Sequence, residues 1–369
     1  MVSGLELRSL ITREGQLRLS LEERELPEPG PDEVLIRVEA APLNPTDHFQ
    51  MTGPADFSTL AAENRLLTMT VPPAALPAVS RRLGESRAVG SEGAGTVIAA
   101  GETAKGLLGK RVAANTGGMF AQYRLVKAAA CLVLPDGVSP AEGAAAFVNP
   151  LTVLGFVETM RMEGFKALVH AAAASNLGQM LLKVCLADGI PLVNIVRKQS
   201  QVELLKGLGA THVLDGTAAD FEDQLTRAVA ETGARLAFDP IGGGRLATQI
   251  LAAMEAASVP ADSPYLVYGT SVPKKVYVYG GLDGGPTIIE RRFGFAWSVG
   301  GWLLPNFLNR VGPEVAARLR QRVVRELTTT FASHYARTIS LSEVLDPDIF
   351  RSFQSRATGE KYLIDPTLG

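Results

Sequence analysis

The sequence is poor in cysteine and histidine and has almost no net charge. Its 369 residues include only two cysteines, Cys131 and Cys185, far apart on apolar segments. We expect reduced, buried thiols rather than a disulfide framework. A formal net charge of −2 provides no basic surface for neutralising phosphates, so nucleic-acid binding is not expected.

Long hydrophobic runs are also missing. No stretch reaches about 18 uninterrupted apolar residues, the length that a membrane-spanning helix needs. Charged residues such as Glu6, Arg8 and Arg13 interrupt the N-terminal segment, so it lacks the apolar core of a signal peptide. We therefore expect a cytoplasmic protein that does not span a membrane.

What is present is the composition of a folded globular protein, with 46% hydrophobic and 20% charged residues. The length indicates two domains. Residues 5–41 alternate in polarity like antiparallel strands, and a glycine-rich strand pattern resumes over 89–126. Between them, 52–87 reads as a long excursion, with a short helix that follows Pro72 and Pro73 and stops near Gly84. It is either a surface insertion or a lid.

From Pro140 onward, helices and strands alternate. Helices are predicted over 141–162, 176–188 and 200–208, and strands over 166–170, 192–196, 212–214 and 236–238, with further strands at 265–268 and 275–279. This rhythm predicts a doubly wound parallel sheet. A helix over 312–329 and strands at 337–341 and 361–364 then rejoin the first domain. The expected domains are 1–140 with 306–369, and 141–305.

The strand at 166–170 runs into a turn of small residues that ends at Gly178. Such a turn places a pyrophosphate at the N-terminus of the next helix. Of the G-x-G-x-x-G pattern only Gly178 remains, since Ala173 and Ser175 replace the other two glycines. A purely structural turn between a strand and a helix is the alternative.

Two cations follow the next strand directly. Arg197 and Lys198 stand where an NAD-preferring site carries an acid, and no Asp or Glu occurs over 189–202. A guanidinium and an ammonium suit a 2′-phosphate, so NADPH is favoured over NADH. The alternative is a pair of solvated surface cations.

At this point the sequence resembles the medium-chain dehydrogenase/reductase superfamily, in its zinc-free quinone oxidoreductase and 2-enoyl thioester reductase branches. The blocks that carry the resemblance are, in order, Asn44-Pro-Thr-Asp47, Gly90-Ser-Glu-Gly-Ala-Gly95, Val148-Asn-Pro-Leu-Thr152, His170 to Gly178, Val193-Asn-Ile-Val-Arg197, Phe238-Asp-Pro-Ile-Gly-Gly243 and Ser355-Arg-Ala-Thr-Gly359. The resemblance implies a Rossmann-type sheet inserted into a GroES-like β-rich catalytic domain.

The resemblance also implies roles for single residues. The pyrophosphate would lie against Ser175, Asn176, Leu177 and Gly178, and the 2′-phosphate against Arg197 and Lys198. The nicotinamide and its ribose would contact Tyr279 and Gly280, with Asn44, Asn149 and Thr152 lining the pocket and Arg356 reaching the cofactor.

Zinc is not expected. The alcohol dehydrogenases of this superfamily need a thiolate and an imidazole, but the first block carries Asn44 without a cysteine and the second has Ser91 before Glu92. The four histidines, His48, His170, His212 and His334, show no ligand spacing. Without a Lewis acid, alcohol dehydrogenation is not favoured.

Hydride transfer to a conjugated acceptor needs no metal, which suits quinones, enones and enoyl thioesters. The enoyl reductase branch has a proton-donating tyrosine soon after the Asn44 block, but no tyrosine occurs here before Tyr123. The proton would come from Tyr279, from the excursion or from water, unless the acceptor is a quinone that takes it from solvent. Asn44 and Tyr279 are the candidate catalytic residues.

The leading hypothesis is an NADPH-dependent reductase of a small electron-poor molecule. The runner-up is a dinucleotide-binding sensor or binding protein with little or no turnover, suggested by the altered glycine turn and the missing tyrosine. Residual alcohol dehydrogenase activity is a third possibility and would require a metal. By analogy with the fold, we expect a homodimer that pairs through an edge strand near 265–279.

Overall fold

The computed structural model describes residues 1–260, 262–355 and 361–368. The chain forms two compact units. The first consists of Met1–Val148 and Arg322–Gly369, and the second of Asn149–Gln321.

The first unit is built mainly of short strands. Its strands are β1 (Val2–Ile11), β2 (Gln16–Leu26), β3 (Glu33–Pro42), β4 (Asp56–Glu63), β5 (Leu66–Thr70), β6 (Arg87–Ala88), β7 (Gly93–Ala100), β8 (Arg111–Ala114), β9 (Tyr123–Lys127), β10 (Cys131–Val133) and, after the second unit, β17 (Arg337–Ile339) and β18 (Tyr362–Ile364). Its helices are α1 (Pro45–Thr52), α2 (Pro140–Gly143) and α9 (Pro347–Ser355), with 3-10 turns at Pro73–Arg82, Glu102–Leu107, Ala128–Ala130 and Glu343–Leu345.

These strands form two sheets. One has the order β4-β5-β2-β1-β6, and the other the order β10-β8-β7-β3-β18-β17, with β9 also paired to β3. Leu17 and Leu19 of β2 are fully buried while Gln16 and Arg18 between them are exposed, the alternation of a strand with one face on a core. Gly95 of β7 shows why this region is rich in glycine, because a Cβ atom there would lie 1.9 Å from the Arg37 carbonyl oxygen.

The predicted excursion over 52–87 is wrong as a description of this region. Strands β4 and β5 add to the first sheet, with Leu17 opposite Met69 and Leu19 opposite Leu67. The helix expected after Pro72 is a 3-10 helix at Pro73–Arg82. Because β4 is largely exposed, it lacks the apolar alternation by which a strand is recognised from sequence.

The second unit alternates helix and strand. Its elements are α3 (Val148–Met162), β11 (Leu168–Ala171), α4 (Asn176–Asp188), β12 (Leu192–Val196), α5 (Gln199–Gly207), β13 (His212–Asp215), α6 (Phe221–Thr232), β14 (Leu236–Asp239), α7 (Leu246–Ala256), β15 (Lys274–Val278), β16 (Trp297–Gly301) and α8 (Leu304–Arg325). The first residue of α3 and the last four residues of α8 are counted with the first unit.

Its sheet is parallel throughout, in the order β13-β12-β11-β14-β15-β16. Every residue of β12 and β14 is buried, as expected of strands covered on both faces. The chain runs outward in both directions from β11, which is the doubly wound arrangement. The predicted fold class is confirmed.

Several predicted elements of this unit need correction. Residues 265–268 form an exposed loop rather than a strand, and β16 was missed. Strand β15 pairs with β14 on one side and with β16 on the other. The edge strand expected near 265–279 is therefore wrong, and β16 lies at the edge of the sheet. The helix predicted over 141–162 is interrupted between α2 and α3, and the one predicted over 312–329 belongs to α8, which is kinked at Gly312.

One segment, Pro140–Met162, is long and apolar enough to cross a membrane by length and composition alone. Of its most apolar stretch, 83% is buried inside the protein. The core helix of a soluble protein has the same properties, so the segment is weak evidence for a membrane span.

Candidate functional site

The turn predicted to hold the cofactor pyrophosphate lies between β11 and α4. Ser175 is the N-cap of α4, and its Oγ accepts the backbone N–H of Gly178 at 3.1 Å. Ala172 adopts a positive φ of 49°, and the Ala173 N–H donates to the Ile195 carbonyl at 3.1 Å, which fixes the turn against β12. The first turn of α4 carries no acidic residue, so its positive dipole end is not neutralised.

Gly178 is the position in this turn where only glycine fits. A Cβ atom there would lie 2.2 Å from the Ala173 carbonyl oxygen, so a side chain would separate the helix from the strand. This is the role of the third glycine in a dinucleotide-binding turn. The structure brings Ser175, Asn176, Leu177 and Gly178 together at one helix N-terminus, as the sequence predicted.

Arg197 and Lys198 follow β12 directly, and both are exposed. The backbone N–H of Arg197 donates to Gln201 Oε1 at 3.1 Å, and Lys198 is the N-cap of α5. Among the described residues, neither side chain has an ion-pair partner. Two unneutralised cations therefore stand at the carboxyl end of the strand next to the turn.

Tyr279 follows β15 and is tied to the interior of the second unit. Its hydroxyl lies 2.8 Å from His170 Nε2, and its ring meets Phe156 edge-on at 4.8 Å. Burial and then the charge of Asp239 raise the pKa of Tyr279 well above its usual value, and burial lowers the pKa of His170 to about 3. The imidazole is neutral, so it does not make the tyrosine a stronger acid.

Three other predicted residues lie near the start of α3 and the end of β15. Asn149 and Thr152 are buried on α3. A Cβ atom on Gly280 would lie 2.7 Å from the Pro240 carbonyl oxygen, so this glycine permits close packing after β14 and β15. Arg356 lies outside the described residues.

A cavity of about 510 Å³ opens at the carboxyl ends of β15 and β16. Its walls include Tyr279, Gly280, Trp302, Asn306, Phe307 and Arg310. Trp302 is held by a hydrogen bond from its Nε1 to Thr159 Oγ1 at 3.1 Å. The volume suits a small organic ligand. Sequence reasoning missed these residues after β16, although a tryptophan beside a short apolar segment was a usable signal.

In the first unit, Asn44 and Asp47 begin α1 and hold the loop before β7. Asp47 Oδ2 accepts the Asn44 N–H at 2.8 Å, and Oδ1 accepts the Ser91 N–H at 2.7 Å and its hydroxyl at 2.6 Å. Burial raises the pKa of Asp47 to about 6 in spite of these bonds.

Glu92 is fully buried and extends this network. Its Oε1 accepts Asn44 Nδ2 at 2.9 Å, and its Oε2 accepts the N–H groups of Phe147 at 2.8 Å and Val148 at 3.0 Å. Burial raises the pKa of Glu92. The buried Oδ1 of Asn44 has no hydrogen-bond partner.

Lys361, just before β18, completes this cluster and was missed from the sequence. Its Nζ is buried without a hydrogen-bond partner, lies 5.7 Å from the ring centre of Tyr335, and interacts electrostatically with Glu92 and Asp47. Burial lowers the pKa of Lys361, and the two carboxylates oppose that shift. A lone lysine in a polar segment gives no sequence signal of its burial.

The side chains that commonly bind metals do not form a cluster in the described part of the chain. Within the described ranges, no group of three His, Cys, Asp or Glu side chains could hold a metal ion. His48, beside Asp47, instead stacks on Phe57 at 5.1 Å and Phe350 at 6.1 Å between ring centres.

Comparison with known proteins gives the same classification as the fold. Residues 30–136 match the family "Alcohol dehydrogenase GroES-like domain". The synaptic vesicle membrane protein VAT-1 homolog of Rattus norvegicus is 31% identical over 222 residues, which cover 59% of this chain and 48% of that protein. The quinone oxidoreductase of Pseudomonas aeruginosa is 28% identical over 192 residues, covering 51% of each. The chain spans about half the length of these curated relatives.

Solved structures match over nearly the whole chain. The crystal structure of a proposed NADPH:quinone reductase from Mesorhizobium loti is 27% identical, with a TM-score of 0.72 over 99% of this chain and 98% of that one. The GroES-like segment and the doubly wound parallel sheet are the features of the medium-chain dehydrogenase/reductase fold. Within that superfamily, the chain is similar to the quinone oxidoreductases and enoyl reductases, so the resemblance seen in the sequence is confirmed.

Proposed function

We propose that this protein is a zinc-independent reductase that uses NADPH to reduce a quinone or an α,β-unsaturated carbonyl compound. The observation that carries the proposal is the turn before α4, where a helix N-terminus without acidic residues is kept open by Gly178. Beside it, Arg197 and Lys198 have no carboxylate partner in the described chain. An anionic dinucleotide with a 2′-phosphate fits this arrangement of charge and space.

The residues that would hold the cofactor follow from this fit. The pyrophosphate would accept backbone N–H groups at Ser175, Asn176, Leu177 and Gly178, and the 2′-phosphate would pair with Arg197 and Lys198. Tyr279, Gly280, Asn149 and Thr152 would line the nicotinamide end, and Arg356 is a further candidate. When bound, the cofactor supplies a hydride.

We propose Asn44 as a polar group for the reacting carbonyl, because its side chain is held by Glu92. Tyr279 remains a candidate catalytic residue. Its hydroxyl would have to leave His170 before donating a proton, so its ring and backbone are its more direct contribution to the site. The cavity beside Trp302 and Phe307 would accept the apolar part of the substrate.

Zinc independence is proposed from the donor set. Asn44 is a weak ligand, Ser91 offers a hydroxyl that already donates to Asp47, and the His48 ring stacks against Phe57 and Phe350. Zinc in proteins prefers thiolate and imidazole ligands. Metal analysis of the purified protein checks this: bound zinc at one per chain would contradict it.

We also propose the wider setting. The predicted domains, 1–140 with 306–369 and 141–305, would be the catalytic and nucleotide-binding domains. The chain would act in the cytoplasm as a homodimer on a small electron-poor molecule, with β16 as the strand available for pairing between subunits. Sedimentation of the purified protein tests the dimer.

The experiment for the cofactor is a fluorescence titration with NADPH and NADH on wild type, Arg197→Ala, Lys198→Ala and the double variant. Loss of a charge-assisted contact costs about 1.5–3 kcal/mol, so each variant should lose about ten- to hundredfold in NADPH affinity and little in NADH affinity. Lys206→Ala, an exposed residue later on α5, is the matched control. If neither nucleotide binds wild type, the proposal is wrong.

A second candidate function is a dinucleotide-binding sensor or binding partner without turnover. It is favoured by the engaged hydroxyl of Tyr279 and by the absence of a tyrosine soon after Asn44. Tight NADPH binding with no oxidation across a panel of quinones and enones would support it over the reductase.

A further inference from the structure

Reduction of a carbon–carbon double bond conjugated to a carbonyl needs a proton as well as a hydride. The hydride reaches the β-carbon, and the resulting enolate must be stabilised and then protonated at the α-carbon. No tyrosine follows the Asn44 block before Tyr123, and the hydroxyl of Tyr279 is engaged by His170. The proposed function therefore lacks an evident acid.

Beside Asn44, Asp47 and Glu92, the Lys361 ammonium and the Tyr335 hydroxyl are both buried donors without a hydrogen-bond acceptor. Burial raises the pKa of Tyr335 and lowers the pKa of Lys361, so the ammonium is the better proton donor of the two. Lys361 Nζ is a buried donor with no hydrogen-bond acceptor, and Asn44 Oδ1 is a buried acceptor with no donor. The two atoms are not hydrogen-bonded to each other, although Asn44 donates to Glu92 and Lys361 interacts electrostatically with it. Burying an ammonium without acceptors costs several kcal/mol, so such groups are concentrated at functional sites.

The two carboxylates of the cluster cannot take this role themselves. Both oxygens of Asp47 accept hydrogen bonds from the Asn44 and Ser91 groups, and both oxygens of Glu92 accept bonds as well. Burial lowers the pKa of Lys361 and so favours release of its proton, and the charges of the two carboxylates oppose this shift without cancelling it. The Tyr335 ring lies on another side of the ammonium at 5.7 Å.

We propose that Lys361 is the general acid of this reductase, supplying the proton that the missing tyrosine supplies in related enoyl reductases. This inference rests on the proposed function. NADPH, when bound, would supply the hydride for the β-carbon and would be released as NADP⁺. The Lys361 ammonium stabilises the enolate oxygen and gives one proton to the α-carbon, and the neutral amine then recovers a proton from water. Asn44 and Glu92 are positioning residues beside it.

The first test needs no turnover, and it uses a variant only to assign one signal. In wild-type protein labelled with [ε-¹³C]lysine, the Lys361 signal, assigned by its loss in Lys361→Arg, should titrate below the ordinary lysine value of about 10.4, because burial lowers the pKa of Lys361. Among the described residues, the titratable groups that face the ammonium are Glu92, Asp47 and Tyr335. An ordinary titration near 10.4 would overturn the proposal.

The second test compares enones with quinones in Lys361→Arg and Lys361→Gln. A quinone takes its protons from solvent, whereas an enone needs the acid. General acid catalysis contributes about 10²–10⁴ in rate. Because arginine keeps the charge but does not release its proton, Lys361→Arg should lose at least about a hundredfold in kcat on enones and less than about threefold on quinones. Lys127→Arg, an exposed lysine paired with Asp32, is the control.

The remaining outcomes also decide. If Lys361→Arg reduces enones at the wild-type rate, the proposal is wrong. If it loses enone and quinone reduction equally and binds NADPH more weakly by fluorescence, Lys361 is a cofactor ligand and not the acid, which also overturns it. If wild type binds NADPH but reduces neither enones nor quinones, the proposed reductase function is wrong, and the role of Lys361 as its acid is wrong with it. The lysine titration still shows whether the pKa of the buried ammonium is lowered, so the two failures can be distinguished.

Discussion

Gly178 lies so close to Ala173 that a Cβ atom on residue 178 would be 2.2 Å from the Ala173 carbonyl oxygen. The N-terminus of α4 can therefore lie this close to the end of β11 only because residue 178 has no side chain. Backbone N–H groups at this N-terminus are the proposed contacts to the cofactor pyrophosphate.

Gly178→Ala should push α4 away from the turn and weaken NADPH binding by at least tenfold. It should also lower the free energy of unfolding by about 2–4 kcal/mol, because backbone rather than a flexible side chain opposes the new methyl group. Thermal unfolding and fluorescence titration measure the two effects.

The matched control is Gly207→Ala, at the end of α5 in the same unit. A Cβ atom there would meet nothing within 4 Å, so the change should be neutral or slightly stabilising. Equal effects of the two substitutions on NADPH affinity would show that Gly178 has no special place in the cofactor site.

Glu92 should be replaceable by glutamine but not by alanine. Alanine would leave Asn44 Nδ2 and the N–H groups of Phe147 and Val148 without an acceptor and should cost about 3–5 kcal/mol. Glutamine can still accept the two backbone groups, and Asn44 can turn its free Oδ1 toward the new amide, so we expect a loss of about 1 kcal/mol. Chemical unfolding of both variants checks this order; equal losses would contradict it.

His170 should remain neutral far below the usual range, because burial lowers its pKa to about 3. NMR of ¹⁵N-labelled histidine should show one ring, assigned by its loss in His170→Asn, that does not titrate between pH 8 and 4. A titration of that ring near 6.5 would contradict the buried position beside Tyr279.

The stability consequence has a definite sign. Below about pH 6.5 the unfolded state binds a proton on His170 that the folded state excludes, so stability falls by about 1.4 kcal/mol per pH unit. Asp47, with a folded pKa of about 6, acts oppositely above about pH 4, because the folded state keeps a proton that the unfolded state releases. The two slopes oppose each other between about pH 4 and 6, so the unfolding free energy of Asp47→Asn should fall more steeply with acid than that of wild type.

Lys274 should be essential for the stability of the second unit. It is buried, and its Nζ lies 2.5 Å from Glu255 Oε2, while Thr270 donates to the same carboxylate. Lys274→Met leaves that carboxylate buried and unpaired, which should cost about 3–5 kcal/mol. Adding Glu255→Gln should recover part of the loss, since the amide still accepts from Thr270.

The same pair predicts acid sensitivity. Burial alone raises the pKa of Glu255, but hydrogen bonds from Lys274 and Thr270 outweigh it, so the pKa lies below its usual value. The stabilisation is complete above the unfolded pKa of about 4.3 and is lost as the pH falls below it. Lys274→Met should unfold with a weaker acid dependence in this range than wild type; an unchanged dependence would contradict the ion pair.

The nucleotide-binding fold could be predicted because its strands are short, apolar and closed by glycine or polar residues. The run Leu192–Val196 is buried on both faces, so composition alone identifies it. Strand β16 was missed because its five residues include two glycines, and Tyr265 with its apolar neighbours imitated a strand although it is exposed. The local sequence pattern does not show which apolar segments pair with a neighbouring strand in the folded protein.

The first unit was harder for the same physical reason. Strand β4 is mostly exposed, and its place is decided by pairing with β5, a contact that the sequence does not encode locally. The turn before α4 could be predicted from Ser175 and Gly178 because their spacing is local. Lys361 was missed because only the tertiary fold brings it to Glu92 and Asp47, which are distant in sequence.

The most direct measurement is the fate of the hydride. NADPH deuterated at either C4 position would be incubated with the protein and a panel of enones and quinones, and the enone products read by mass spectrometry. We predict that deuterium from one C4 position, and not the other, appears on the β-carbon of at least one reduced enone, or that NADPH is oxidised stoichiometrically with a quinone. NADPH binding without oxidation or deuterium transfer on any acceptor would contradict the reductase and leave a nucleotide-binding protein.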